Sequence, residues 1–133
     1  MTQKTKVTGI GGVFFKVKDP AATRAWYAEH LGLPCDAYGA LFRFREEGSG
    51  EPGQLQWSPF AADTTYFEPS KQPFMINYRV ADLDGLLAQL VEAGIEIVGE
   101  IQDEPYGRFA HLMDPEGNKI ELWEPKAEDC ESE

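Results

Sequence analysis

Two stretches of the chain repeat one another: FFKVKD at residues 14–19 and NYRVAD at 77–82 superpose without gaps at an offset of 63 residues. A repeat constrains the fold more than any single motif, because each copy is one supersecondary unit that must pack with its neighbour. In the first copy VFFKV reads as a strand. Asp19 follows as a helix N-cap and Pro20 as the first helical residue, where its missing N–H costs nothing. Thr23, Trp26, Tyr27 and His30 then recur at helical spacing, and Gly32 supplies a stop. In the second copy a strand runs into Asp82. Leu83, Leu86, Leu87, Leu90 and Val91 form the helical stripe, and Gly94 closes it. About three strand-like stretches follow each unit: LPCDA, YGALFRFRE and GQLQWSPF in the first, IEIVGE, GRFAHLM and KIELWEP in the second. The expected architecture is therefore α+β. Two βαβββ modules, residues 7–60 and 73–125, form one curved mixed sheet, a cup, with the helices on its outer face. A linker at 61–72 and an acidic tail at 126–133, expected to be disordered, complete a single domain.

Strand alternation assigns side chains to faces. Val13, Phe15 and Val17, with Phe74, Ile76, Tyr78 and Val80, form sets for the helices. Gly12, Phe14 and Lys16, with Met75, Asn77 and Arg79, form the opposite set, of the mixed character expected for a ligand cup. A hairpin centred near Glu116 in DPEGN sets His111 opposite Glu121 on the cup face and turns Ala110, Leu112, Ile120 and Leu122 to the helices. Aromatic residues such as Phe14, Trp57, Tyr66, Phe67, Tyr106, Phe109 and Trp123 gather on these strands or the loops flanking them. An apolar concavity with a few polar groups is the usual make-up of a small-molecule site. The inter-module stretch YFEPSKQPF has the place of a lid or a dimer arm.

The charge balance narrows the partners. Twenty-three acidic against 12 basic residues give a net charge of −11, the wrong sign for coating nucleic acid or an anionic membrane. No run approaches the length of a membrane span and no apolar signal core precedes the first module, so a cytoplasmic protein is expected. Cys35 and Cys130 have neither metal nor redox spacing, and reduced thiols are expected. GIGG at 9–12 precedes a strand rather than opening a helix, which removes a phosphate-loop reading. Lys16, Arg43, Arg79 and Arg108 are candidates for holding an anionic group, and His30, in the last turn of a helix, is read as structural.

The paired plan, KVKDP-x5-WY-x3-LGL near the start and DPEGNKIELWEP near the end resemble the vicinal-oxygen-chelate superfamily, the group of glyoxalase I, extradiol dioxygenases and the bleomycin- and fosfomycin-resistance proteins. The resemblance covers about residues 7–125. It implies the cup fold and a homodimer, since related cups are often completed across a two-fold axis. In metal-dependent members four strand positions carry ligands, and the resemblance places them on Gly12, Gln56, Met75 and Glu121. Glycine has no ligand atom, a thioether suits soft metals and an amide binds weakly, so neither metal nor other cofactor is expected.

The leading expectation is a glyoxalase/bleomycin-resistance-like protein that binds a small, partly aromatic or carbonyl-bearing molecule without metal. Phe14, Gln56, Trp57, Met75, Asn77, Arg79, Phe109 and Trp123 are the expected ligand contacts, with Glu121 and His111 as the polar pair. The alternative is an isomerase or lyase in which Glu121 and His111 move a proton, with or without a divalent metal, a dioxygenase being less favoured. A third reading, a protein-interaction module, requires an exposed apolar face and no enclosed cavity.

Overall fold

A computed structural model describes residues 5–45, 50 and 52–126. The acidic tail beyond Lys126, Cys130 and most of the EEGSGE turn lie outside the described residues. The elements run β1 (Val7–Val17), α1 (Pro20–Leu31), β2 (Ala40–Arg45), β3 (Pro52–Ala61), β4 (Phe74–Val80), α2 (Leu83–Glu92), β5 (Ile97–Glu104), β6 (Gly107–Met113) and β7 (Lys119–Pro125). They form one seven-stranded mixed sheet in the order β2-β3-β1-β4-β7-β6-β5. The repeat is visible in the pairing. β1 and β4 run antiparallel at the centre, and each pairs in parallel with the last strand of its own module, β3 or β7.

Local chemistry sets both helix starts. Asp19 accepts from the Ala22 N–H at 3.1 Å and Asp82 from the Gly85 N–H at 3.0 Å, while Glu124 of β7 accepts from the Leu83 N–H at 2.7 Å. Gly32 ends α1 in the left-handed region, φ 72°. The expected strand at LPCDA is reduced to a bridge between Cys35 and Ala40, so module one has one strand fewer than module two. The reason lies in Asp36, whose carboxylate accepts from the Tyr38 and Gly39 N–H groups and bends the chain instead of extending it.

Two cores result. Val80, Leu83, Leu86, Ala110, Leu112 and Leu122 pack between α2 and the outer face of the sheet, as strand alternation predicts for the last hairpin. On the inner face, Phe14 and Met75 enclose Phe67, a linker residue with no exposed surface. α1 is the exception. None of its side chains is buried, and Trp26 remains 53% exposed. No helix among the described residues is long and apolar enough to cross a membrane.

Candidate functional site

One row of residues crosses six strands at the floor of the cup. In pairing order it reads Gln56, Gly12, Asn77, Glu121, His111, Val98. A cavity of about 800 Å³ opens along it, within the range of roughly 300–1,000 Å³ typical of small-molecule sites. Phe14, Phe60, Tyr66, Tyr106, Phe109 and Trp123 supply most of its aromatic wall. Phe109 and Trp123, paired across β6 and β7, stack 3° from parallel, and the Trp123 indole N–H donates to the Tyr106 carbonyl at 3.1 Å.

Glu121 is the centre of the floor and 2% exposed. Three donors converge on its two oxygens. The Asn77 amide N–H donates to Oε1 at 2.7 Å, His111 Nε2 lies 2.9 Å from Oε2, and the Tyr66 hydroxyl donates to Oε2. Facing a carboxylate, the imidazole carries its proton on Nε2. Burial first, and then the Glu121 charge and hydrogen bond, push the Tyr66 phenol well above the ordinary tyrosine value, so it stays a donor. The Tyr66 ring stands edge-on over His111, 5.5 Å between centroids. Lys119, on the same strand as Glu121, grips the linker by donating to the Tyr66 carbonyl at 2.7 Å; desolvation lowers its pKa.

The floor contains one exposed demand. Asn77 turns its N–H end to Glu121, which leaves its carbonyl oxygen Oδ1 with no hydrogen-bond partner among the described residues although the residue is 1% exposed. Gly11 lies against that oxygen, and a Cβ there would stand 2.5 Å from it. A register shift between Ile10 and Gly12 brings Gly11 as well as Gly12 to this face.

Of the residues expected at the ligand, Phe14, Gln56, Asn77, Phe109, Glu121 and Trp123 line the cavity. Trp57 does not. It lies between Gln56 and Ser58, both of which line the cup, and alternation sends it to the outer face against Phe15 and Tyr27. Met75 is walled in by Phe14 and Phe67. Arg79 lies with its guanidinium 5.2 Å from the Trp123 ring centre and reaches the Gln54 carbonyl, behind the lining rather than in it. His111 is 3% exposed and acts on Glu121 from below, outside the lining. Lys16 lies 5.7 Å over the Phe67 ring, and Arg108 is bound in a two-pronged pair to Asp84 at 2.9 and 3.1 Å. His30 packs against Trp26 at the surface of α1, the two rings tilted at 48°. Tyr66 and Glu104 were absent from the expected contacts. Tyr66 belongs to a linker without periodicity, and Glu104, paired with Gly107 at the end of β5, lies beyond the IEIVGE stretch from which the sequence reads that strand.

The geometry also tests the metal reading. The offset of 63 carries the Phe14–Ser58 pair of module one onto the Asn77–Glu121 pair of module two. Ser58, not Gln56, is therefore the counterpart of Glu121. The chelate positions become Gly12, Ser58, Met75 and Glu121. The Ser58 hydroxyl donates to the Tyr38 carbonyl at 2.8 Å, the Met75 thioether is sealed among phenylalanines, and both Glu121 oxygens are engaged. These residues do not fit a divalent metal. Among the described residues no three His, Cys, Asp or Glu side chains group as metal ligands would.

Fold and site together define an α+β cup of paired modules with, among the described residues, one buried carboxylate, set in an aromatic cavity. The chain belongs to the Glyoxalase/Bleomycin resistance protein/Dioxygenase superfamily, whose family model matches residues 9–122. Solved structures share the fold. Methylmalonyl-CoA epimerase from Mycobacterium tuberculosis is 24% identical with a TM-score of 0.62, over 96% of this chain and 95% of that one. A variant of the Streptomyces coelicolor methylmalonyl-CoA epimerase, in complex with 2-nitronate-propionyl-CoA, is 17% identical with a TM-score of 0.69, over 92% and 100%. A superfamily member from Vibrio splendidus 12B01 is 13% identical with a TM-score of 0.55, over 86% and 97%. No curated protein matches the chain significantly.

Proposed function

We propose that this protein binds a small organic molecule in its aromatic cup without a metal, Glu121 being the group that orients the ligand. The observation that carries this reading is the engagement of Glu121 by Tyr66, Asn77 and His111 at the floor of an otherwise largely apolar cavity. Such a carboxylate is held rigidly and keeps one lone-pair direction, on Oε1, enough for a single ligand donor and too few to chelate a cation. Elemental analysis of protein purified without chelator is the direct test. It is expected to find no stoichiometric Mn, Ni, Zn or Fe, and added divalent ions are expected to leave the melting temperature unchanged. Near-stoichiometric metal that disappears in Glu121→Ala overturns the reading.

A second reading is favoured by the chain Tyr66–Glu121–His111, in which a carboxylate reaching the cavity is held in place by a phenol and an imidazole. This is the arrangement for proton transfer beside a carbonyl, the step of an isomerase such as the epimerases that share the fold. It predicts deuterium uptake from solvent into the ligand, abolished in Glu121→Gln. Pure binding predicts none. We further propose a cytoplasmic homodimer, the exposed α1 face with Trp26 being the surface that a second copy covers.

A further inference from the structure

The charged side chains that line the cavity are all of one sign. Two carboxylates line it, Glu121 on the floor and Glu104 at the end of β5, and no Lys, Arg or His is among the described residues that do. Of the cations near the lining in sequence, Lys119 holds the Tyr66 carbonyl, Arg79 the Trp123 face and the Gln54 carbonyl, and Arg108 Asp84; Lys16 lies over the Phe67 ring, and Arg43 of β2, opposite Gln54, lies outside the lining. Around the carboxylates stand tyrosine, phenylalanine and tryptophan side chains, and an aromatic ring attracts a cation laid over its face. On the floor, the Asn77 carbonyl oxygen is buried without a donor. From the proposed binding function, on which this inference rests, we infer that the ligand is an organic cation with an N–H donor, a protonated amine on a flat apolar body. Its N–H is shared between Asn77 Oδ1 and Glu121, and Glu104 adds attraction at the wall.

Each part of that description answers a separate observation. The flat body fits the aromatic wall, the positive charge answers two carboxylates without a lining cation, and the N–H supplies the orphaned acceptor. A quaternary ammonium satisfies the first two and leaves the third unmet. An anionic ligand, a phosphorylated coenzyme ester included, meets like charge in a low-dielectric site. The phenols of the cavity report the same field. Burial raises both Tyr66 and Tyr106, and the charges of Glu121 and Glu104 raise them further.

The test uses the full-length protein and three derivatives of one ring: naphthylmethylammonium, naphthylmethanol and naphthoate, titrated by calorimetry. The ammonium is expected to bind about tenfold more tightly than the alcohol, the difference between a charge-assisted and a neutral hydrogen bond, and naphthoate more weakly than either. Glu104→Gln, which removes no hydrogen bond to Glu121, is expected to weaken the ammonium while leaving the alcohol unchanged. Asn77→Leu is expected to erase most of the ammonium's advantage, with circular dichroism confirming that the variant folds. Equal or tighter binding of the alcohol or the carboxylate overturns the charge inference and leaves the binding reading standing. An ammonium preference that survives both substitutions assigns the attraction to the acidic surface at large and also overturns it. Failure of all three to bind folded protein removes the cup reading itself.

Discussion

At the scale of single residues, Tyr66 has the largest leverage. Its hydroxyl is one of three donors on Glu121 and its ring covers His111, so Tyr66→Phe keeps the cover and deletes the bond. Urea unfolding near neutral pH is expected to show a loss of about 1–3 kcal/mol, the range for a buried hydrogen bond to a charged group. The alkaline limb carries a second signature. The folded protein holds the phenol proton above the ordinary value of 10.0, whereas the unfolded chain releases it there. Stability is therefore full below that pH and falls as pH rises beyond it. In Tyr66→Phe this part of the slope is expected to vanish, and phenolate absorbance is expected to show one fewer late-titrating tyrosine. Among the floor residues, Glu121 and its partner His111 were legible from the sequence because a five-residue turn fixes which positions of β6 and β7 face each other. Tyr66 was legible only as one of the aromatics flanking the cup, since nothing in its neighbourhood repeats or alternates. The error at Trp57 has a different origin. Gln56 and Trp57 are consecutive in a strand and cannot both face the ligand, and the sequence did not say which one does.

At the scale of elements, the linker between the modules is the part whose role changes most once the structure is known. It is built into the cup: Phe67 is sealed between Phe14 and Met75, and Lys119 fastens the Tyr66 carbonyl. Phe67→Ala is expected to destabilise the protein by about 3–5 kcal/mol, the usual range for emptying a buried phenylalanine site. Hydrogen exchange is expected to quicken at Glu68 and Ser70, whose N–H groups bond to Thr65 and Phe67, while α2 keeps its protection. The two helices were readable to within a residue at their starts, because an acidic cap followed by a helical run leaves little choice. What periodicity hid was the difference between them. Both carry a stripe, yet only that of α2 is dense enough in leucine to close a core, and α1 lies on the sheet without burying one side chain.

At the scale of the whole molecule, that uncovered helix leads to a prediction about mass. Light scattering is expected to give about twice the 14.9 kDa of one chain, and Trp26→Glu is expected to shift the protein toward monomer without lowering the far-ultraviolet helix signal. A monomeric wild type would leave the exposure of α1 unexplained. The curved sheet and its two-module order were visible in the repeat itself, whereas the missing strand of module one was not, because a single aspartate turning on its own backbone overrides a weak strand pattern. The same repeat also makes the two ends of the cup unequal. Backbone symmetry carries Ser58 onto Glu121 and Gly12 onto Met75, but the side chains at those related places share no chemistry. A guest entering this cup therefore meets a scaffold that looks alike from both sides and a lining that does not, so it has one way round to lie. Head and tail of the ligand are told apart by sequence divergence between two copies of one fold, with no further domain required to break the symmetry.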